Sequence, residues 1–509
     1  MDVLISKSFL PEIFLSFSLL LQLIFNIKLI KNIKFNLPAI GNETYFQTIF
    51  ILLCLFFLYL ELNIEGFLCN FLFVNDNSTR ILKIAIVSLC IIMTSVLQES
   101  FKFHAIGIFE FYIIYLLAIL SVLLIVSAHD LISFYILVEM QSICFYILAA
   151  INRYSIFSLE AGLKYFLFGS FFSGIFLLGA SIIYGTVGTL NLAYLDILLA
   201  YPINENFFGI FDVIKVGVSL IFSMLLFKIA CAPFHFWSPD VYEGSPICST
   251  IIFSLLPKLS IFYFFSKFCS HLNIIFYEIQ NTLLFFGFIS VIIGTFFSLS
   301  QTKIKRLLIF SSVTQVGFLV IALSLNTLES YSSLFFFLLT YIITSLLAWG
   351  HVTLFYSFKK KIDYYYNKKT NTLLLSGIAN FFELNPYWSF SLALVFFSMA
   401  GVPPLMGFIS KYFVLSSLVS FDNINSSIFL ILISCLSAFY YVRLIKIIFF
   451  EPKVDEFVRS SAQTIFFDKS SLFIFYIFSI LMSIIISTIL YPNTLYMVCE
   501  LIILNSCIY

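Results

Sequence analysis

The chain has 509 residues, of which 61% are apolar and 10% are charged, and its mean hydropathy is +1.07. Ordinary globular chains are about 45–50% apolar and about 25% charged, so this composition excludes a soluble protein. The net charge of +1, from 27 basic and 26 acidic residues, argues against a nucleic-acid partner, which would require a clustered basic face. Ten cysteines without a C-x-x-C motif disfavour a disulfide framework, a zinc site or an iron–sulfur cluster.

Long apolar stretches predict an all-α polytopic membrane protein. A helix that crosses a bilayer needs about 17–25 apolar residues, and continuous hydrophobicity excludes the alternating pattern of a membrane β-barrel. About fourteen spans are predicted, at residues 9–30, 45–62, 81–98, 107–128, 131–151, 160–185, 213–236, 246–269, 279–300, 304–325, 331–356, 389–419, 427–449 and 471–491.

Basic residues near the span ends predict the topology. Most of them follow odd-numbered spans, including the basic segment 359–370. The positive-inside rule therefore places these loops on the cytoplasm-like side and both termini on the opposite side. The basic residues toward that opposite side are Lys7, Arg80, Lys83, Lys215 and Lys267.

Proline interrupts two of the predicted spans. Pro233 lies five residues after Lys228 in one span, and the adjacent Pro403 and Pro404 lie shortly before Lys411 in the other. Proline removes one hydrogen bond of the helix and clashes with the preceding turn, so both spans should unwind locally. Ordinary proline kinks are the alternative interpretation.

The two broken spans are the fourth members of two five-helix groups. Because five is odd, the second group crosses the membrane in the opposite sense, as in inverted repeats whose broken helices line an ion path. The predicted organisation is an N-terminal three-helix segment at 1–106, a first repeat at 107–269, a second repeat at 279–449, and a C-terminal loop, last helix and tail at 450–509.

Charged residues inside the spans are the candidate functional groups. A lysine at the centre of a bilayer costs about 2.5–3.5 kcal/mol, so a retained one is by default paired or functional. Glu139 and Lys228 are predicted to form a switchable pair, and Lys258 and Lys411 to continue a proton relay. A static salt bridge between Glu139 and Lys228 is the structural alternative.

Three further residues are candidates for proton access. His235 follows the break after Lys228, and His351 lies late in its span. His235 can equally cap the unwound segment, and His351 can equally be a satisfied buried histidine. Lys164 can equally extend to the membrane interface. No nucleotide-binding, nucleophile or metal-binding motif is present, so the chain by itself is not expected to bind NADH or to carry electrons.

Several segments resemble antiporter-like membrane-arm subunits of the proton-pumping NADH:ubiquinone oxidoreductase, respiratory complex I, of the subunit 2 or bacterial subunit N type. The resemblance covers about 105–450, and the stretch F-x-x-W-x-P-D-V-Y-E-G-S-P at 234–246 makes it specific. The segments that carry it are residues 139–150, 160–192, 227–250, 303–323 and 396–415.

The resemblance implies roles for the intramembrane charges. Glu139 and Lys228 match the coupling pair of the family, Lys258 its central connecting lysine, and Lys411 the lysine of the exit half-channel. Gln315 departs from relatives that carry histidine there, which argues against a titrating group at this position.

The resemblance also implies an assembly and a location. NAD, FMN, iron–sulfur clusters and ubiquinone are expected in other subunits of the complex, with cardiolipin as a candidate lipid ligand of this chain. The expected partners are other membrane-arm subunits, including further antiporter-like ones. The expected location is the mitochondrial inner membrane, with both termini on the intermembrane-space side and protons moving from the matrix to that space.

Two other functions fit parts of the sequence. A subunit of a multisubunit Na⁺/H⁺ antiporter would share the fold, although a sodium site usually needs carboxylate and carbonyl oxygens rather than lysines. The third hypothesis is a purely structural membrane-arm subunit with vestigial charges. A Lys228→Met variant separates these hypotheses from the proton relay.

Overall fold

The computed structural model describes most of the chain. The described residues are 9–32, 39–61, 66–101, 108–200, 208–366, 374–379, 381–451, 469–488 and 490–506.

Helices account for nearly all of the described secondary structure. Their bounds are α1 Leu10–Asn32, α2 Ala39–Leu60, α3 Asn77–Phe101, α4 Ile108–Ser127, α5 Leu131–Ala149, α6 Ile156–Val187, α7 Leu192–Ala200, α8 Phe208–Lys228, α9 Trp237–Gly244, α10 Ile247–His271, α11 Asn273–Ser300, α12 Ile304–Ser324, α13 Leu328–Tyr366, α14 Phe381–Leu384, α15 Pro386–Ala400, α16 Met406–Ser420, α17 Ile424–Phe450, α18 Lys469–Ser487 and α19 Pro492–Ser506. A short 3₁₀ helix covers Leu375–Ile378.

The helices have the composition that a bilayer requires. Lipid offers no hydrogen-bond partners to the backbone, so an apolar segment must satisfy its own N–H and C=O groups as a helix. Within the described residues, nine helices are long and apolar enough to cross a membrane, or ten if a bent pair near the C-terminus counts as one span. Each predicted span overlaps a helix or a broken pair of helices, while the total of fourteen spans stays a prediction.

The chain divides into two compact units. Unit 1 comprises residues 1–94, 105–284 and 500–509, and unit 2 comprises residues 95–104 and 285–499. The most extensive helix contacts of unit 1 join α6 to α8 and α4 to α5. In unit 2 the corresponding contacts join α13 to α16 and α15 to α17. Helix α10 is the most deeply enclosed helix of unit 1, and the whole of its apolar window is buried.

Two helices differ from the sequence-based expectation. Helix α13 continues to Tyr366, so part of the expected basic loop 359–370 is helical, and residues 367–370 lie outside the described part. Lysine and tyrosine do not break helices, and residues 357–366, which follow the predicted end at 356, contain no glycine or proline. The expected tail contains α19, which begins with Pro492, a residue favoured in the first turn because its missing N–H costs nothing there.

A short antiparallel hairpin is the one sheet among the described residues. Strand β1 at Gly66–Leu68 pairs with β2 at Phe73–Asn75. Three consecutive residues of its turn, Cys69, Asn70 and Phe71, have left-handed φ angles of 49–67°. Such angles are uncommon outside glycine, so contacts beyond the turn must hold it.

Candidate functional site: buried charges at the helix breaks

The break near Pro233 places Lys228 at the end of a helix. Helix α8 ends at Lys228, and α9 begins at Trp237. Proline cannot donate to the preceding turn, so the helix cannot continue through this segment. The indole N–H of Trp237 donates to the carbonyl of Phe227 at 3.0 Å. The same carbonyl also accepts from the backbone N–H of Ala230 at 3.0 Å, so the indole adds a second hydrogen bond to the last turn of α8.

The Lys228 ammonium is buried beside the charge of Glu139. The Lys228 side chain is 8% exposed, and its Nζ has no hydrogen-bond partner within the described part of the chain. The carboxylate of Glu139 acts on it electrostatically, but the described residues contain no ion pair of the two within 4.0 Å. Ser142 donates to one carboxylate oxygen of Glu139 at 3.4 Å, while the other oxygen lacks a partner among described residues. The two charges therefore interact electrostatically without forming a direct ion pair.

Lys258 lies in the interior of α10, directly after a proline. It is 3% exposed, and Pro257 cannot donate to the carbonyl of Phe253 one turn earlier. The hydroxyl of Tyr242 donates to that carbonyl at 3.2 Å. Tyr242 thus replaces the missing backbone bond and keeps α10 continuous beside Lys258. The sequence reasoning missed this role, although a proline four residues after an apolar position signals an unpaired carbonyl.

The second break places Lys411 over the end of a helix. Helix α15 ends at Ala400, Gly401 follows with φ of +83°, and α16 begins at Met406 beyond Pro403 and Pro404. The Lys411 ammonium donates to the carbonyls of Ala400 at 2.8 Å and Met399 at 3.3 Å. Carbonyls at a helix C-terminus carry partial negative charge, which stabilises a cation there.

A polar cavity adjoins the acceptor of Lys411 in unit 2. Its volume is about 20 Å³, room for about one water molecule, and its lining includes Met399, whose carbonyl accepts from Lys411. Gln315 also lines it. The hydroxyl groups of its wall belong to Ser311, Ser312, Tyr341, Thr344, Ser345 and Tyr441. Such a wall can hold water near a buried ammonium.

His351 is a satisfied buried histidine in unit 2. Its Nδ1 donates to the carbonyl of Leu347 at 2.6 Å, and its Nε2 lies 2.8 Å from the hydroxyl of Ser391. Because a carbonyl only accepts, the neutral ring carries its proton on Nδ1. Phe478 stacks on the ring. This arrangement matches the structural alternative, and access through His351 stays a prediction.

The other two access candidates differ in environment. His235 is buried in the break after α8, and its Nδ1 has no partner in the described part of the chain. Lys164 is 39% exposed and pairs with Glu160 at 2.8 Å and Asp240 at 3.1 Å. An exposed ion pair contributes at most about 1 kcal/mol, so these contacts set position rather than stability.

The largest difference from the sequence reasoning concerns basic residues near the span ends. Arg80, Lys83 and Lys267 are buried in helices of unit 1 rather than exposed at an aqueous face. Lys83 forms an ion pair with Glu12 at 2.5 Å, which accounts for its burial. The sequence offered one signal: acidic residues at the ends of neighbouring spans. Within the described residues, no group of three or more His, Cys, Asp or Glu is placed to hold a metal ion.

Comparison with known proteins shows the family of this chain. The sequence model described as NADH:quinone oxidoreductase/Mrp antiporter, TM, matches residues 128–439, more than half of the chain. The chain belongs to this family. The match contains both helix breaks and the charged residues Glu139, Lys228, Lys258 and Lys411. It confirms the resemblance seen in the sequence motifs.

Relatives within the family are similar over most of their length. NADH-ubiquinone oxidoreductase chain 2 of Oenothera berteroana is 35% identical over 77% of this chain and 77% of that protein. NADH-quinone oxidoreductase subunit N 1 of Rhizobium meliloti is 32% identical over 72% of this chain and 74% of that protein. The family therefore includes both plant and bacterial members that are similar to this chain.

Solved structures share the fold at lower identity. A chain of respiratory complex I from Thermus thermophilus aligns with a TM-score of 0.73 at 22% identity, covering 96% of this chain and 98% of that one. A chain of the Mrp complex from Dietzia sp. aligns with a TM-score of 0.71 at 16% identity, covering 99% and 97%. The fold is thus the antiporter-like fold of all-helical membrane subunits.

Proposed function

We propose that this chain translocates protons as an antiporter-like membrane-arm subunit of NADH:ubiquinone oxidoreductase. The observation that supports this proposal is the chemistry of four charged side chains in the predicted spans. They are the half-buried carboxylate of Glu139 and the buried ammonium groups of Lys228, Lys258 and Lys411, of which Lys228 and Lys411 lie at helix breaks. Ammonium groups exchange protons but cannot bind a metal cation. Relatives named as complex I subunits support the assembly, and quinone reduction in other subunits supplies the driving force.

Glu139 and Lys228 form the switch of this mechanism. A buried lysine keeps its proton while a carboxylate is near and releases it when that charge moves away. The absence of a direct ion pair among the described residues supports a pair that separates easily. Lys258 receives the proton within unit 1. In unit 2, Lys411 delivers it to the exit, and the carbonyls of the broken helix hold the ammonium in the loaded state.

Loop charges and named relatives support a proposed location and direction. The basic bias of the loops after odd-numbered spans supports movement from the matrix to the intermembrane space, with both termini on the latter side. Plant relatives named as NADH-ubiquinone oxidoreductase chain 2 support a mitochondrial inner membrane. Other antiporter-like subunits and lipid, including cardiolipin, are the proposed neighbours. NAD, FMN, iron–sulfur clusters and ubiquinone are assigned to other subunits, in keeping with the resemblance to complex I.

Replacing Lys228 tests the proposal. Lys228→Met keeps the side-chain length but removes the ammonium group that carries the proton. NADH-driven proton uptake by the reconstituted complex should therefore fall by about 100-fold. Lys215→Met is the matched control, since Lys215 lies on the same helix but is only half-buried and is paired with Asp212 at 3.0 Å and with Glu278 at 2.5 Å. Native gels verify that both variants assemble. Unchanged pumping in an assembled Lys228→Met complex would reduce the chain to a structural subunit.

Sodium exchange is the second candidate, because the Mrp complex shares the fold. The same liposomes discriminate it: proton exchange driven by an imposed Na⁺ gradient, without NADH, would favour the antiporter. We expect no such exchange, because the four charges of the proposed relay include a single carboxylate.

A further inference from the structure

A cluster of charged and imidazole side chains lies at one end of unit 1, where distant segments meet. The backbone N–H of His129, in the connection between α4 and α5, donates to the carbonyl of Leu72 at 3.0 Å. The amide of Asn191 donates to the carbonyl of Phe71 at 2.9 Å. These bonds tie the turn of the β1–β2 hairpin over the cluster. They also account for the left-handed backbone of that turn.

One face of α10 carries polar side chains toward this end of the unit. Ser260, Tyr263, Lys267 and His271 are spaced three and four residues apart, which aligns them on the same face of the helix. The Tyr263 hydroxyl bonds to Ser78 of α3 at 2.8 Å, and the Lys267 ammonium lies 4.7 Å above the Tyr263 ring. Polar groups therefore continue from the level of Lys258 to the last residue of α10.

Two histidines and one carboxylate form the outer part of the cluster. The His271 Nδ1 lies 3.5 Å from a carboxylate oxygen of Asp196 on α7, and its ring meets that of His129 edge-on at 5.6 Å. His129 is buried, and neither of its ring nitrogens has a hydrogen-bond partner within the described part of the chain. Asp196 is 52% exposed and therefore reaches water.

The inner part of the cluster contains three acidic and three basic side chains. Glu12 pairs with Lys83, Arg80 donates to the backbone carbonyls of Glu61 and Asp76, and the charges of Asp76 and Lys83 both act on Lys267. The buried acids are Glu12, Glu61 and Asp76, and the buried bases are Arg80, Lys83 and Lys267.

Asp196 differs from these acids in pairing with a histidine. The nearby Asp130 is already engaged, because its side chain caps the first turn of α5 by accepting from the N–H of Ile132 at 2.7 Å. Asp196 has His271 as its ion-pair partner among the described residues, and that partner is charged only when protonated. A net charge at a partly buried site favours uptake of the neutralising proton.

We propose that His271, Asp196 and His129 form a proton port that exchanges one proton between the region of Lys258 and the aqueous phase on the hairpin face. This inference rests on the proposed proton translocation and adds an opening in unit 1. A proton arriving at Nε2 of His271 makes an imidazolium ion that donates through Nδ1 to Asp196. The carboxyl group then loses that proton to water, and the imidazole returns to its neutral form.

His129 acts as a neutral relay beside this pair. Burial, followed by the charges of Lys267 and His271, lowers the pKa of His129 to about 3. A neutral imidazole has one donor and one acceptor nitrogen, so it can take a proton at one and release it at the other.

The test uses the assembled complex in liposomes, with a pH-sensitive dye and NADH as the driving substrate. In Asp196→Asn, the proton on His271 loses its balancing charge, so the pH of half-maximal pumping should move down by about one unit. Asp212→Asn is the matched control, since Asp212 is an exposed carboxylate of unit 1 outside the cluster. His271→Ala should slow pumping more than NADH oxidation, and added imidazole should restore it.

The outcomes separate this inference from the proposed function. If Lys228→Met stops pumping while Asp196→Asn and His271→Ala match the Asp212→Asn control, the port is wrong and translocation stands. If Lys228→Met leaves pumping intact, translocation itself fails. If His271→Ala does not assemble, the exposed Asp196→Asn variant still decides, because an unshifted pH profile overturns the port.

Discussion

At the scale of single residues, backbone and charge act together where Gly401 meets Lys411. Gly401 has a φ of +83°, and a Cβ added there would lie 3.0 Å from the Lys411 Nζ. A side chain at this position would therefore strain the backbone and displace the ammonium from the carbonyl of Ala400. The glycine is a requirement of the lysine site as well as of the turn.

Gly401→Ala should weaken both features. The left-handed conformation costs a non-glycine residue about 1–2 kcal/mol, which should lower the thermal stability of the complex. Because the ammonium loses its acceptor, proton pumping should fall further than NADH oxidation. Gly174→Ala serves as the control, since a Cβ there would meet nothing within 4 Å. Equal pumping in the two variants would contradict a role for Gly401 in holding Lys411.

A second residue-scale prediction concerns acid. The pKa of His129 is lowered from 6.5 to about 3. At a pH between these two values, the histidine is protonated in the unfolded chain but neutral in the folded chain. Stability therefore falls as pH drops below about 6.5, by about 1 kcal/mol at pH 5.5. His129→Gln should remove this part of the acid sensitivity. Thermal unfolding at pH 7.5 and 5.5 measures it, and an unchanged difference would contradict the assignment.

At the scale of elements, the breaks and the continuous helix α10 follow one rule. Proline deprives a carbonyl of its partner, and the outcome depends on what replaces the bond. At Pro257 the Tyr242 hydroxyl supplies it, and α10 continues. Near Pro233 and Pro403 the helix ends instead, and a lysine lies at the helix terminus. Prolines of similar sequence context thus give a straight helix in one place and a candidate ion site in another.

Tyr242→Phe tests this replacement. Leaving the carbonyl of Phe253 unpaired should destabilise the protein by about 1–3 kcal/mol, measured as a lower unfolding temperature of the complex. Adding Pro257→Ala should restore part of the loss, because alanine supplies the N–H that α10 lacks. The Pro257→Ala single variant completes the cycle. Additive effects of the two substitutions would show that Tyr242 acts elsewhere.

At the scale of whole units, the N-terminal helices are joined to unit 1 by buried charges. Lys83 of α3 pairs with Glu12 of α1, and Gln47 of α2 donates to the carbonyl of Tyr112 of α4 at 3.2 Å. Residues 1–94 therefore share a compact unit with α4 to α10. Polar contacts between apolar helices are strong constraints because lipid cannot replace them.

Removing one partner of the buried pair should be worse than removing both. Lys83→Met leaves the carboxylate of Glu12 without its cation, which costs about 3–5 kcal/mol. The double variant with Glu12→Leu should recover most of this loss, since no charge remains buried. The yield of assembled complex and its thermal inactivation measure both. A double variant as unstable as Lys83→Met would contradict the pairing.

Local chemistry explains why the helices, their breaks and the intramembrane charges could be predicted from the sequence. Long apolar runs fixed the helices near their observed bounds, prolines marked both helix breaks, and the rarity of charge in lipid singled out Glu139, Lys228, Lys258 and Lys411. Each of these inferences needs only neighbouring residues and the nature of the solvent. The family motifs, such as the stretch at 234–246, are local in the same sense.

Contacts between groups far apart in the chain depend on tertiary packing. It placed Lys411 on the carbonyls of Ala400 and Met399, kept Glu139 out of direct contact with Lys228, and buried Lys267 near the two histidines. Residues at the ends of spans have the same hydropathy whether they face water or a partner from another helix. Their burial depends on packing between segments far apart in the chain, and no periodicity in the sequence encodes that packing.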